Sequence, residues 1–209
     1  MSALLLPAGG KRPVCARCLR PQSACICASI VSVTHTVEVL ILQHPMEVAN
    51  AKGSARLLHL CLPGSRLVVG ETFDALQLET LLSGKNNLLL YPDTGGPPLS
   101  VLSPVPALCT AAAMRAPTSS QRLVVLDATW RKSRKMLHQN LLLQSLPRLS
   151  LRAAPPSRYL IRKAHAPDQL STLEATCYAL MQLEPDAQLL PLIAAFDAFV
   201  AQQLRYRDL

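Results

Sequence analysis

Short apolar runs recur along the chain, and most end in a polar or proline-rich stop. Val37–Leu42, Arg66–Val69, Asn87–Tyr91 and Arg122–Leu126 read as strands. The last of these, with β-branched Val124 and Val125 at its centre, has the look of a strand buried on both faces. Helical spacing alternates with the strands. It runs from about Ala49 to Leu60, with Leu57, Leu58, Leu60 and Cys61 on the apolar face. It returns over Phe73–Leu82, with Asp74 and Glu79 outward, and over Thr129–Asn140, with Met136, Leu137 and Leu141 inward. Ala107–Met114 and Ala187–Arg207 complete the helices, and Arg148–Leu151 and Arg158–Ile161 are short strand candidates. The pattern predicts an α/β fold, with no internal repeat and no second large domain.

One strand end stands out. Leu123-Val-Val-Leu126 runs into Asp127-Ala128-Thr129-Trp130, and then into Arg131-Lys132-Ser133-Arg134-Lys135. Trp130 is the only tryptophan of the chain, and four cations follow it within five residues. In an open α/β sheet the carboxyl edge of the strands is where ligands bind. Asp127 or Thr129 serving only as a cap of the next helix is the plainer alternative. Two other strand ends carry unusual loops. Leu90-Tyr91-Pro92 leads into Asp-Thr-Gly-Gly, where glycines permit close approach of backbone to a ligand or simply make a turn. Ser171-Thr172-Leu173-Glu174 is a capping-box pattern opening an apolar helix, whose N–H groups suit a carboxylate or phosphate. His44 follows the first strand and is read as satisfying loop backbone rather than a ligand.

Cys15, Cys18, Cys25 and Cys27 have the spacing C-x2-C-x6-C-x-C. Four soft thiolates so placed predict a tetrahedral zinc site in a small knuckle that needs its metal to fold. Two disulfides or an iron–sulfur cluster are the alternatives at this point. Cys61, Cys109 and Cys177 lie among apolar residues and are expected in the core.

Composition sharpens the picture in one respect. The 209 residues carry a net charge of +8 and a sequence pI near 9.4, which favours a polyanionic partner. Arg17 and Arg20 of the knuckle, Arg131, Lys132, Arg134 and Lys135, and the later pair Arg162 and Lys163 are the candidate phosphate contacts. Aromatic residues make up only 4%, so base stacking is not expected to dominate binding. The chain shows no membrane span and no secretory signal, and the cysteine usage fits a reducing compartment, so a cytoplasmic protein is expected.

Phosphate-loop, dinucleotide-binding, HExxH and G-x-S-x-G motifs are all missing. With those classes unsupported, the remaining motifs resemble the DTW-domain family of tRNA-uridine aminocarboxypropyltransferases, in its bacterial form with an N-terminal cysteine knuckle. The resemblance is carried by Asp127-Ala-Thr-Trp130, the cysteine cluster, Ile41-Leu-Gln-His-Pro-Met-Glu47, Leu90-Tyr-Pro92, Arg131–Met136 and Ser171-Thr-Leu-Glu-Ala175, over residues 12 to 180. Ser54 stands where the family would have Thr, and keeps the hydroxyl.

The resemblance implies a knotted, SPOUT-like parallel sheet flanked by helices. It divides the chain into a flexible lead (1–10), a zinc knuckle (11–32) and a catalytic domain (33–209). It implies transfer of the 3-amino-3-carboxypropyl group of S-adenosylmethionine to N3 of a tRNA uridine, with release of methylthioadenosine. Asp127 would accept or direct the N3 proton, and Trp130 would lie against the sulfonium. Leu90, Tyr91, Pro92, Leu126 and Thr129 would hold the nucleoside. Ser171, Thr172 and Glu174 would sit at the amino-acid end. A SPOUT-type RNA methyltransferase and a non-catalytic zinc-knuckle RNA-binding protein remain open at this stage.

Overall fold

The computed structural model describes residues 13–92, 116–152, 154–159, 161 and 170–207. Five parallel strands form one sheet: β1 (Glu38–Gln43), β2 (Arg66–Val69), β3 (Asn86–Leu90), β4 (Gln121–Asp127) and β5 (Arg148–Leu149), in the order β2-β1-β4-β3-β5. The strand ending in Asp127 is therefore central, with β1 and β3 on either side. All its carboxyl-edge neighbours face one end of the sheet.

Side chains alternate across the sheet as the strand period requires. Val39 and Ile41 of β1, Leu88 of β3 and Leu123 and Val125 of β4 point into one core. That core is closed by α1 (Ala55–Cys61) and, near the C-terminus, by Thr172–Leu183 and Leu190–Arg207. Leu40, Leu42, Leu89 and Val124 point the other way, against α2 (Ala75–Leu82), α3 (Trp130–Gln139) and α4 (Leu141–Gln144). The C-terminal pair are α5 (Thr172–Leu183) and α6 (Leu190–Arg207). The result is a sheet covered by helices on both faces, as an all-parallel sheet demands.

The structure departs from the sequence pattern at several points. The helix expected from Ala49 begins only at Ala55. Before it, Asn50 turns the chain by accepting from the Lys52 N–H (3.0 Å), and a Cβ on Gly53 would meet the Asn50 carbonyl oxygen at 3.1 Å. Leu141, expected on an inner face, is 70% exposed. The helix after Trp130 ends at Asn140, whose side chain reaches the Glu71 and Met136 carbonyls and the Phe73 N–H, and α4 restarts in a new phase that buries Leu143 instead. β5 is two residues long, and Arg158, Tyr159 and Ile161 lie in no strand. Asp74, expected simply to face outward, caps α2 by accepting from the Leu76 and Gln77 N–H groups. Cys61 and Cys177 are in the core as expected. The lead (1–10), Ala107–Met114, Cys109 and the Gly95-Gly96 turn lie outside the described residues.

The cysteine knuckle packs into the same core as the sheet. Cys18 and Ile26 are buried with Phe196 and Phe199 of α6. The Gln202 side chain donates to the Cys25 carbonyl (2.9 Å), and the Tyr206 hydroxyl donates to that of Ser23. No helix among the described residues is long and apolar enough to cross a membrane.

Candidate active site

The carboxyl edge of β1, β4 and β3 gathers the chemistry. Parallel register sets Gln43 beside Asp127, and the His44 N–H donates to the Asp127 carbonyl (2.9 Å). The Asp127 side chain is buried and does not cap α3. It reaches sideways instead: the Gln43 amide donates to Oδ2 (2.9 Å), and the Thr172 hydroxyl donates to Oδ1 (2.6 Å). One carboxylate thus ties together β1, β4 and the start of α5. Thr129 takes the N-cap position of α3, but its hydroxyl makes no capping bond.

Trp130 opens α3 and is 49% exposed, although its ring stacks on Tyr91 (centroids 5.2 Å apart, planes 15° apart). The Arg148 guanidinium lies over the Tyr91 ring at 5.4 Å. Tyr91 is itself buried, and burial raises its pKa. Leu90 and Pro92 flank it, the first half-buried at the end of β3 and the second exposed, while Leu126 packs under α3.

The start of α5 forms the expected capping box: the Ser171 side chain accepts from the Glu174 N–H, and the Glu174 carboxylate accepts from the Ser171 N–H. The Leu173 N–H is also bonded, to the Ser54 hydroxyl (3.3 Å). Glu174 is fully buried and further accepts from the Ser157 hydroxyl and the Arg158 N–H (2.6 Å). Two of the helix-start N–H groups are therefore satisfied within the chain, and Glu174 fixes the 157–158 segment. Thr172 is the member of this set that touches Asp127. His44 does what its position suggested: Nδ1 accepts from the Met46 N–H, and Nε2 lies 3.3 Å from Glu71.

The four cations after Trp130 divide into two kinds. Lys132 pairs with Glu47 and Lys135 with Glu71, each at 2.9 Å. The Lys135 ammonium and His44 hold the Glu71 carboxyl below its ordinary pKa. Arg131 and Arg134 are exposed, and neither makes an ion pair among the described residues. In the knuckle Arg17 is exposed, whereas Arg20 donates to the Ala51 (2.6 Å) and Gly53 (2.9 Å) carbonyls and stacks on Phe199 at 5.1 Å. Arg162 and Lys163 lie outside the described residues.

Cys15, Cys18, Cys25 and Cys27 converge, with all four sulfurs within 4.8 Å of one another and none in a disulfide. The Cys15–Cys27 and Cys18–Cys25 sulfurs are 3.6 and 3.7 Å apart. Four thiolates around a tetrahedral zinc, at a Zn–S distance of about 2.3 Å, stand about 3.8 Å apart, so this cluster fits the ion. Backbone N–H groups of Cys18 and Arg17 pull the Cys15 pKa down to about 6, while burial pushes that of Cys27 up to about 12. Leu19, next to the second thiol, takes a left-handed turn (φ 58°) that returns the chain toward the first.

Sequence reasoning gave no role to Gln43, Glu47 or Glu71, and noted Ser54 only as keeping a hydroxyl, not as the acceptor of the Leu173 N–H. Gln43 and Glu47 stood inside a recognised motif, Ile41–Glu47, and the polar end of an apolar strand was the signal available for Gln43.

The DTW domain family matches residues 12–204. Among curated proteins the chain is similar to those named tRNA-uridine aminocarboxypropyltransferase 2. It is 28% identical to the Mus musculus protein over 181 residues (83% of this chain), 27% identical to that of Macaca fascicularis over the same span, and 29% identical to that of Drosophila melanogaster over 186 residues (84% of this chain). The chain spans 57% of the length of the mouse and macaque relatives and 69% of the Drosophila one. No solved structure matches it.

Proposed function

The chain belongs to the DTW-domain family, and from that membership we propose that it transfers the 3-amino-3-carboxypropyl group of S-adenosylmethionine to N3 of a uridine in tRNA, releasing methylthioadenosine. The same reading assigns the sheet to the SPOUT class with a knotted chain, and the protein to the cytoplasm. The observation that carries the reaction is the buried Asp127 carboxylate at the carboxyl edge of the central strand, three residues before a half-exposed indole. Both stand in the family's own D-x-T-W stretch.

When bound, S-adenosylmethionine supplies a sulfonium with three electrophilic carbons, and the pocket chooses among them by which one it presents in line to the nucleophile. The residues here fit that donor. Trp130, braced by Tyr91 and Arg148, offers an aromatic face to positive charge. Leu90, Tyr91, Pro92, Leu126 and Thr129 form the strand-end loops against which the nucleoside lies. Thr172 and Ser171 stand at the amino-acid end, and Glu174 positions them from behind.

N3 of uridine carries a proton, and its lone pair is conjugated into the ring. It attacks well only when that proton leaves, and Asp127 is the group that takes or directs it. Arg131 and Arg134 grip the tRNA phosphates, with Arg17 contributing from the knuckle. Lys132, Lys135 and Arg20, already held by acids or carbonyls, shape that surface. Cys15, Cys18, Cys25 and Cys27 hold a structural zinc that keeps the knuckle folded.

Incubation of the purified protein with unmodified tRNA and S-adenosylmethionine labelled in the aminocarboxypropyl chain tests the proposal. Label is expected in a uridine nucleoside after digestion. Label entering tRNA only from a methyl-labelled donor would make the protein a methyltransferase. Retention by tRNA of neither label would leave a binding protein.

A further inference from the structure

We propose that Gln43 is a positioning residue for the transfer: its side-chain amide, lying across Asp127, orients that carboxylate and keeps it ionised for the N3 proton. This rests on Asp127 being the base assigned above.

Gln43 closes the apolar run of β1, and only 6% of it is exposed. Burying an amide is unfavourable unless its hydrogen bonds are made, so such a residue needs a partner. It finds one in Asp127 Oδ2 at 2.9 Å. The backbone leaves little freedom in this pairing. The two residues are partners in the parallel register, the Gly70 N–H donates to the Gln43 carbonyl (2.9 Å), and the His44 N–H donates to the Asp127 carbonyl (2.9 Å). With Thr172 on Oδ1, each carboxylate oxygen has a neutral donor that fixes the plane of the group.

The chemistry of the donor matters as much as its place. A hydrogen bond to the charged form of a carboxyl favours ionisation, and the Gln43 amide supplies one. A cation in the same position would favour the charged form far more and weaken the base. An amide leaves the carboxylate charged and still able to accept a proton. The ionisable groups of the surrounding elements are engaged with one another. His44 at the end of β1 meets Glu71, Glu71 meets Lys135 of α3, Glu47 meets Lys132 of α3, and Glu174 of α5 binds Ser171, Ser157 and the Arg158 N–H. Arg131 and Arg134 of α3 are exposed. Among the described residues, none of these contacts involves Gln43.

The test is the single-turnover transfer rate as a function of pH, for the full chain and for Gln43→Met, Gln43→Glu and Asp127→Asn. The rate of a base-dependent step falls below the pKa of the base. Met keeps the length of Gln43 but donates nothing, so the acid limb is expected to move upward, with about a tenfold loss on that limb that shrinks as pH rises. Glu sets a second carboxyl beside the first. Two such groups resist ionising together, so the limb is expected to move further. Affinity for S-adenosylmethionine, followed by the fluorescence of Trp130, should stay within about twofold. If the Glu variant fails to fold, the Met variant alone decides.

A Met variant slowed equally at every pH, or one that instead loses affinity for S-adenosylmethionine, overturns the proposal and leaves Gln43 a structural residue. Limbs at the wild-type position in both variants, with Asp127→Asn slow, overturn the role of Gln43 and spare the base. An Asp127→Asn enzyme near the wild-type rate removes the base and the role of Gln43 together.

Discussion

Asp127→Asn keeps an acceptor oxygen for one of the donors Gln43 and Thr172 and removes the charge that takes the N3 proton in the proposed reaction. It is expected to fold, to retain metal and to slow transfer at least about a hundredfold in single turnover, the low end of what a positioned base contributes. Asp127→Ala is the poorer experiment, because it strands the Gln43 amide and the Thr172 hydroxyl without their acceptor, at about 1–3 kcal/mol each. Trp130→Ala should weaken binding of S-adenosylmethionine several-fold by equilibrium dialysis, since a cation on an aromatic face is worth about 0.5–2 kcal/mol. Trp130→Phe, which preserves a ring over Tyr91, should recover most of that loss. Asp127 was legible in the sequence because a carboxylate directly after an apolar strand is unusual. The partner on Oδ2 was not, because parallel pairing joins residues 84 positions apart and nothing local records the register. Glu174 was legible as a cap and invisible as the acceptor of the Ser157 hydroxyl and the Arg158 N–H, for the same reason.

At the level of elements, the four cysteines of the knuckle converge as their spacing predicts, while the contacts of a neighbouring arginine had no such signal. Paired cysteines come together because the spacing itself makes the turn, and the four sulfurs form a cluster that could hold a metal ion. Cys25→Ser or Cys27→Ser is expected to lose the metal, measured by elemental analysis of the purified protein, and unchanged content in both would contradict the assignment. Arg20 carries no such local signature and looked like a phosphate contact. Its guanidinium is half-buried, which works against its charge, and it holds the Ala51 and Gly53 carbonyls beside Ser54 and α1. Arg20→Ala should lower stability by about 1–2 kcal/mol in denaturant unfolding, as expected for charge-assisted hydrogen bonds removed from a half-buried site. Arg17→Ala, at an exposed side chain, should change it by less than about 0.5 kcal/mol. The helix read from Ala49 failed at the same loop. Apolar spacing continued through it, but Asn50 and the close approach at Gly53 make a turn that periodicity does not register.

Across the whole molecule, strand runs and helical faces were legible because burial on both sides of a parallel sheet demands them. The strand order was not, and that order makes β4 central and turns a local motif into a site shared by β1, β3 and α5. Net charge of +8 favours a polyanionic partner without saying which cations would face it. The ion pairs of Lys132 and Lys135 leave Arg131 and Arg134 as the exposed cations of α3 that make no ion pair among the described residues. Arg131→Ala and Arg134→Ala should each weaken binding to all tRNAs and lower the slope of log affinity against log salt by about one, whereas Lys132→Ala should leave that slope nearly unchanged. Wild-type affinity and salt slope in both Arg131→Ala and Arg134→Ala would show that this helix is not the RNA face. The central claim, transfer of the aminocarboxypropyl group to uridine, is tested most directly by identifying both products of one reaction. With tRNA and S-adenosylmethionine, the account predicts methylthioadenosine in solution, in equal amount to a uridine nucleoside heavier by one aminocarboxypropyl group; S-adenosylhomocysteine with a methylated nucleoside, or no product from a protein that binds both substrates, would contradict it.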